Sequence, residues 1–144
     1  MIPVHKAKSI IQKYIPRLEE TAISLNKLDN RILAQDIKAP FPMPQFDNSA
    51  MDGFAVRCQD TESATESHPV TLKMSGVSSA GAPYDLTLEQ GECVQCMTGA
   101  EIPKGANAVV MVEDTSGFSN GDSVQVYIKA YEGKHIRKQG EEIL

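Results

Sequence analysis

Two aspartates, Asp47 and Asp52, are the only charged residues between Phe41 and Val56. Asn48, Ser49 and Ala50 lie between them, all small or hydrogen-bonding. Small residues let a backbone approach a ligand closely, and Asn and Ser can donate to it. Either aspartate suits a hard cation such as Mg²⁺, which takes carboxylate and water oxygens. Either could equally cap a turn through its own side chain. A second stretch, Met97 to Asn107, holds Gly99, Gly105 and Pro103 after an apolar run. Thr98 offers a hydroxyl, and Gly99 permits a nest of backbone N–H groups for an anion. The Gly-Lys-Ser/Thr spacing of a P-loop is missing, so a plain strand-connecting loop is the competing reading. A third cluster, Lys134, His135, Arg137 and Lys138, suits an anion or a solvated charged strand. If that stretch is extended, Lys134, Ile136 and Lys138 share one face and His135 and Arg137 the other.

Other groups promise less. Cys93 and Cys96 have a metal-like spacing. A structural zinc site needs four ligands, and residues three apart on a strand point to opposite faces. Structural thiols are therefore expected. His5, His68 and His135 are far apart in sequence and are read as surface residues. No Ser or Cys sits in a nucleophile elbow.

These segments need elements to position them. Val4, Ala7, Ile11, Tyr14 and Ile15 fall on one face of a helical period, and Pro16 stops the helix. Thr21 to Leu25 alternates like a short strand, and Leu28 to Leu33 reads as a helical turn begun by Asp29 or Asn30. Pro40, Pro42 and Pro44 make a stiff, polyproline-like approach to Asp47. Gly53 to Val56 starts a strand after the Asp52-Gly53 turn signal. Residues 59–69 are polar and read as a mobile surface loop. Further strands are expected at Val70–Met74, Glu92–Met97, Ala108–Glu113 and Ser123–Ile128, with Asn120-Gly121 as a hairpin signal. The fold class is mainly β with an N-terminal helix (α+β).

The chain has 144 residues and a net charge of −5, with 41% hydrophobic residues. That composition is globular, and the acidity disfavours non-specific nucleic-acid binding. No apolar run approaches the ~20 residues that cross a bilayer, so no membrane partner is expected. The three cysteines and the lack of a signal-like start point to the cytoplasm. The abrupt end after a glycine-bearing charged stretch reads as a boundary within a longer chain.

Pro44 to Arg57, with the run Phe46-Asp47-Asn48-Ser49-Ala50-Met51-Asp52-Gly53, resembles the signature of the MoeA family of molybdopterin molybdenumtransferases and of the gephyrin E domain. Arg31 to Asp36 is similar to the family's lead-in. Met97-Thr98-Gly99-Ala100 with Gly105 to Val110 resembles a second block, and Ile136 to Ile143 a third. The resemblance implies an elongated β-rich module with bifurcated or barrel-like sheets. It implies three regions: 1–44, an N-terminal helix and part of a linking domain; 45–130, the β-rich module; and 131–144, a strand returning toward the linking domain. It implies an enzyme that inserts molybdenum from molybdate into adenylated molybdopterin with Mg²⁺, at a site shared across a homodimer. Asp52 and Glu142 would be catalytic, Asp52 the metal ligand, and Thr98, Gly99, Asn48 and Ser49 the cofactor-binding residues. Glu142 stands where the family usually has Asp. A C-terminal α/β domain would supply the rest of the site, and the 144-residue chain alone is expected to be inactive. The alternative is a non-catalytic dimerisation or scaffold-binding module of the gephyrin type.

Overall fold

The computed structural model describes residues 1–16, 18–118 and 121–144. The chain divides into two compact units, Met1–Lys38 and Ala39–Leu144. Among the described residues no helix is long and apolar enough to cross a membrane.

In the first unit, α1 spans Val4–Tyr14 and has no buried residue. It stops before Pro16, as the ring of that proline requires. Ile15 is already extended, and its N–H closes the last turn onto the Ile11 carbonyl. The strand expected at Thr21–Leu25 is absent. Residues 21–24 have no regular structure and Leu25–Lys27 form a single 3₁₀ turn. Alternation alone cannot hold a strand that has no neighbour to complete its hydrogen bonds. The helical turn expected over Leu28–Leu33 shrinks to a single turn at Asp29–Asn30, closed by Arg31 N–H on the Leu28 carbonyl (3.1 Å). Asn30 has φ 56°, a left-handed conformation from which a right-handed helix cannot continue.

In the second unit, seven short strands follow in order: β1 Asn48–Ser49, β2 Gly53–Val56, β3 Val70–Ser78, β4 Glu92–Cys96, β5 Ala108–Met111, β6 Ser123–Val126 and β7 Ile136–Arg137. Five form one sheet in the order β5-β2-β4-β3-β6. Only β3 and β4 run parallel, with a register shift between Met74 and Gly76. β1 and β7 form a separate two-stranded ribbon. The expected mainly β fold with one N-terminal helix is what forms.

Strand periodicity sorts the core. Phe54, Val56, Cys93 and Val110 pack with Leu72, Val124 and Val126 in one cluster. Ala55, Cys96, Ala100 and Val109 form a second. β2 is buried along its whole length because it lies between β4 and β5 with a cluster on each face. Cys93 and Cys96 thus point to opposite faces, as their spacing on a strand requires. Both are free and buried. Burial, then the neighbouring Glu92 charge, pushes the Cys93 thiol up to about 12. Burial pushes Cys96 up to about 11, against the lowering influence of the nearby Ser49 hydroxyl and with a smaller push from Asp52. Thiols held that high carry almost no thiolate at neutral pH. Iodoacetamide at pH 8 is therefore expected to label Cys58, which is half-buried, well before Cys93 or Cys96. Mass spectrometry of a time course checks this, and early labelling of Cys93 or Cys96 would contradict it.

Two further expectations change. Residues 59–69 are mostly exposed, as a surface loop is, but the segment is anchored at two points. Cys58–Thr61 is a 3₁₀ turn, and Thr61 and Ala64 are buried. The Thr61 hydroxyl donates to the Cys58 carbonyl (2.8 Å) and accepts from Ala130 N–H (2.9 Å). A polar side chain satisfied inside the protein looks the same in sequence as a solvated one. The tail is not one extended strand either. β7 covers only Ile136–Arg137, and His135 has φ 55°, so the alternation of faces does not reach Lys134. His135 is half-buried, not a surface residue, and its Nδ1 is buried without a hydrogen-bond partner among the described residues. The Asn120-Gly121 hairpin signal falls partly outside the described residues. Around it, Thr115 bridges Val126 and Ser116 N–H donates to the Gln125 carbonyl (2.9 Å).

Candidate functional site

The pairing of β2 with β4 builds the centre. Gly53 lies opposite Cys96, so the turn before β2 meets the turn after β4. Asp52 and Thr98 face each other there. Asp52 Oδ1 accepts from Thr98 N–H and from the Thr98 hydroxyl, each at 2.7 Å. Both residues are exposed. The Asp52 carbonyl also accepts from Val112 N–H (3.1 Å), which fixes the turn against the end of β5. The backbone bond from Thr98, then the hydroxyl bond, holds the Asp52 carboxyl below the ordinary aspartate range. A carboxylate that accepts such bonds favours its charged form. It is ionised at neutral pH, with one oxygen pinned and, among the described residues, no hydrogen bond at Oδ2.

The turn that carries Thr98 is closed on itself. Thr98 N–H goes to Asp52, Gly99 N–H to the Ser49 carbonyl (2.8 Å) and Ala100 N–H to the Met97 carbonyl (2.9 Å). Gly99 has φ 81°, which suits glycine. The N–H groups of residues 98–100 all donate inside the chain, so they form no open anion nest. The Thr98 hydroxyl has one hydrogen, and that hydrogen is committed to Asp52. Toward a ligand this pair presents acceptors only.

Asn48 and Ser49 lie beneath. Ser49 is fully buried, and its hydroxyl donates to the Met51 carbonyl. Ser49 N–H donates to the Ala100 carbonyl (3.0 Å), tying β1 to the Thr98 turn. Asn48 is 6% exposed, its Nδ2 donates to the Phe46 carbonyl (3.4 Å), and its Oδ1 is buried with no partner among the described residues. Asn48, Ser49, Asp52, Thr98 and Gly99 thus form one connected region.

Glu142 stands apart from them. The chain around β1 runs antiparallel to the tail, with Ser49 opposite Ile136, Asn48 opposite Arg137 and Met43 bridged to Ile143. Ala50 N–H reaches the His135 carbonyl (2.9 Å) at one end. Glu142 N–H reaches the Met43 carbonyl (2.9 Å) at the other. Asp52 and Glu142 therefore occupy opposite ends of this ribbon, and both are exposed. The proline run leads into the Glu142 end, where the Met43–Pro44 peptide is cis.

Asp47 has both oxygens engaged. Oδ2 accepts from Lys138 Nζ (2.7 Å) and Oδ1 from Gln139 N–H (2.9 Å). Of the two aspartates, Asp52 is the one with an open oxygen. Lys138 and Gln139 are partners that sequence reasoning missed. An unpaired aspartate and a distant lysine were visible, but nothing in their spacing joined them. Among the described residues no group of three or more His, Cys, Asp or Glu side chains converges as a metal cage. A cation here would depend on Asp52 plus groups from water, substrate or another chain.

The family model described as the MoeA N-terminal region (domain I and II) matches residues 2–144. The chain is 38% identical over 143 residues to molybdopterin molybdenumtransferase 2 of Mycobacterium tuberculosis (strain ATCC 25618 / H37Rv), covering 99% of this chain and 35% of that protein. It is also 38% identical over 143 residues to the molybdopterin molybdenumtransferase of Bacillus subtilis (strain 168), covering 98% and 33%. The crystal structure of the molybdopterin biosynthesis moeA protein from Pyrococcus horikoshii OT3 matches with a TM-score of 0.83 at 33% identity, over 99% of this chain and 38% of that one. The chain spans about a third of the length of the curated relatives it matches.

Proposed function

Because the chain belongs to the family of MoeA N-terminal regions, we propose that it is the N-terminal part of a molybdopterin molybdenumtransferase acting in the cytoplasm. The reaction is insertion of molybdenum from molybdate into adenylated molybdopterin. The chain supplies half of a site, completed by a C-terminal α/β domain and a second subunit, so residues 1–144 alone are inactive.

One observation carries this reading: the exposed, ionised Asp52, with one oxygen pinned by Thr98 and the other open. Molybdate and the substrate's phosphates are anions, and they are repelled by a bare carboxylate. Asp52 Oδ2 fits Mg²⁺, and a magnesium ion there would offset that repulsion and draw an oxyanion to an acidic surface. Thr98 acts through Asp52 in this reading. It orients the carboxylate and keeps it charged, and its donors face Asp52, away from any phosphate. Ser49 and Asn48 hold the turn from below, and Gly99 allows the reversal that aims Thr98 N–H. Glu142 takes the place of the family's usual Asp at the far end of the ribbon. Adenylated molybdopterin is an extended molecule with phosphates between two ring systems, which suits groups spread along a ribbon.

The test uses the full-length protein with adenylated molybdopterin, molybdate and a Mg²⁺ titration. Asp52→Asn is expected to raise the Mg²⁺ needed for half-maximal turnover by roughly tenfold, the loss of one charged ligand. An unchanged Mg²⁺ requirement removes Asp52 from the cation site.

A further inference from the structure

Asp47 joins all three segments of the site by hydrogen bonds or by its own chain. Its backbone carbonyl accepts from Ile102 N–H (3.0 Å), in the loop that follows Thr98. Its carboxylate takes Lys138 Nζ and Gln139 N–H from the tail. Its own segment runs on through β1 to Asp52. Gln139 adds a second tie, donating its side-chain amide to the Gln45 carbonyl (2.6 Å). Gly140 N–H donates to the Pro44 carbonyl (3.0 Å), and Glu142 follows. Along the ribbon Asp47 lies between Asp52 and Glu142. The regular β1–β7 pairing ends at Asn48 and Arg137. Backbone ties resume at Pro44 with Gly140 and at Met43 with Glu142 and Ile143, and in the interval the side chains of Asp47 and Gln139 hold the two segments together.

We propose that Asp47 is a positioning residue, which latches the tail to the aspartate loop and so sets where Glu142 stands relative to Asp52. This rests on the reading of Asp52 and Glu142 as parts of one site. Burial pushes the Asp47 carboxyl up, but the bonds from Lys138 and Gln139 more than offset it, so the group is held below its ordinary value. The Lys138 side chain is 63% exposed, so the ion pair alone contributes little. The bond to Gln139 N–H is the half of the latch that holds backbone.

The experiment compares Asp47→Ala, Asp47→Asn and Lys138→Met in the full-length protein, by amide hydrogen exchange and by turnover on adenylated molybdopterin and molybdate. Asp47→Ala is expected to speed exchange at Gln139 and Glu142 by roughly tenfold and to leave Thr98 unchanged. It is expected to lower kcat by roughly tenfold while KM for the adenylated pterin stays within about twofold, since a misplaced group costs rate more than binding. Asp47→Asn keeps an oxygen for Gln139 N–H and should recover most of both. Lys138→Met, an exposed change that leaves the fold intact, should be mild in both. Unchanged exchange at Gln139 and Glu142 in Asp47→Ala overturns the latch. Faster exchange with normal kcat overturns its positioning role. If Asp52→Asn also turns over normally, the site reading itself has failed, and the exchange data still report on the latch.

Discussion

Gly53→Ala is expected to destabilise the β-rich unit by about 3 kcal/mol or more, at the upper end of overpacking costs. A Cβ at this position would stand 2.0 Å from the Val110 carbonyl oxygen and 2.9 Å from the Met111 Cα. Both are backbone atoms, so no side chain can rotate away. β2 is held on both sides, with Gly53 paired to Cys96 on β4 and to Met111 on β5. Relief requires β5 to separate from β2, which opens the cluster around Phe54 and Val110. Set against a total of about 5–15 kcal/mol for a domain, that is a large fraction. Gly91→Ala is the control. Gly91 has φ 76° with nothing near its Cβ position, so the change costs only backbone strain, about 1–2 kcal/mol. Urea unfolding followed by circular dichroism should place the Gly53→Ala midpoint well below that of Gly91→Ala. Equal midpoints would mean that β2 and β5 yield more easily than their register implies. Gly53 also follows Asp52, so surviving folded protein should show a displaced carboxylate.

The second large effect concerns Asp52 itself. At saturating Mg²⁺, Asp52→Asn is expected to lower turnover of the full-length protein by roughly a hundredfold, the scale of a lost charged group in a reacting centre. Thr98→Val should fall between that variant and the parent and should change the pH profile. The sign follows from the two bonds. Both stabilise the ionised carboxyl and hold its pKa below the ordinary aspartate value. The parent therefore keeps its Asp52 charge at neutral pH and into the acid range below that value, and loses it only as pH falls through the depressed pKa. Valine removes the hydroxyl bond and leaves the N–H bond. The pKa moves part of the way back up, and the acid limb of activity moves to higher pH with it. Turnover measured from about pH 2 to 7, with the Asp52 carboxyl followed by NMR over the same range, checks this. A limb that stays in place, or moves down, would show that Asp52 does not set it.

The parts of this molecule that were legible in sequence depend on neighbours along the chain. Pro16 ends α1 through its own ring. The β2 and β4 strands follow from apolar runs bounded by glycine. The opposed faces of Cys93 and Cys96 follow from a period of two. The Phe46–Gly53 stretch reads in sequence as a polar loop, but Asn48–Ser49 inside it form the buried strand β1, whose partners lie far along the chain. The misreadings share another cause. Thr61 is polar yet buried, because Ala130, far along the chain, supplies the N–H that satisfies it. Asn107 is similar: its Oδ1 accepts from Cys58 N–H (2.7 Å) across the sheet, and no local pattern forecasts that clamp. Asn30 and His135 adopt left-handed backbone conformations that single residues signal weakly. The turn that holds Thr98 was legible, but the direction of its hydroxyl was not, because Asp52 lies 46 residues away.

The β1–β7 ribbon joins residues separated by most of the unit. Asp47 and Lys138 are 91 positions apart. During synthesis the ribosome releases the β2–β6 sheet before the residues of β7 have cleared its exit tunnel. The nascent sheet can settle early, while β1 waits for β7, its strand partner. Closing so long a loop is entropically costly and comes late in folding. The loop bearing Asp52 thus gains its final anchor only after the tail arrives. A polypeptide cut short before Lys138 and released would keep every strand of the sheet and lack the partners that Asp47 takes from the tail.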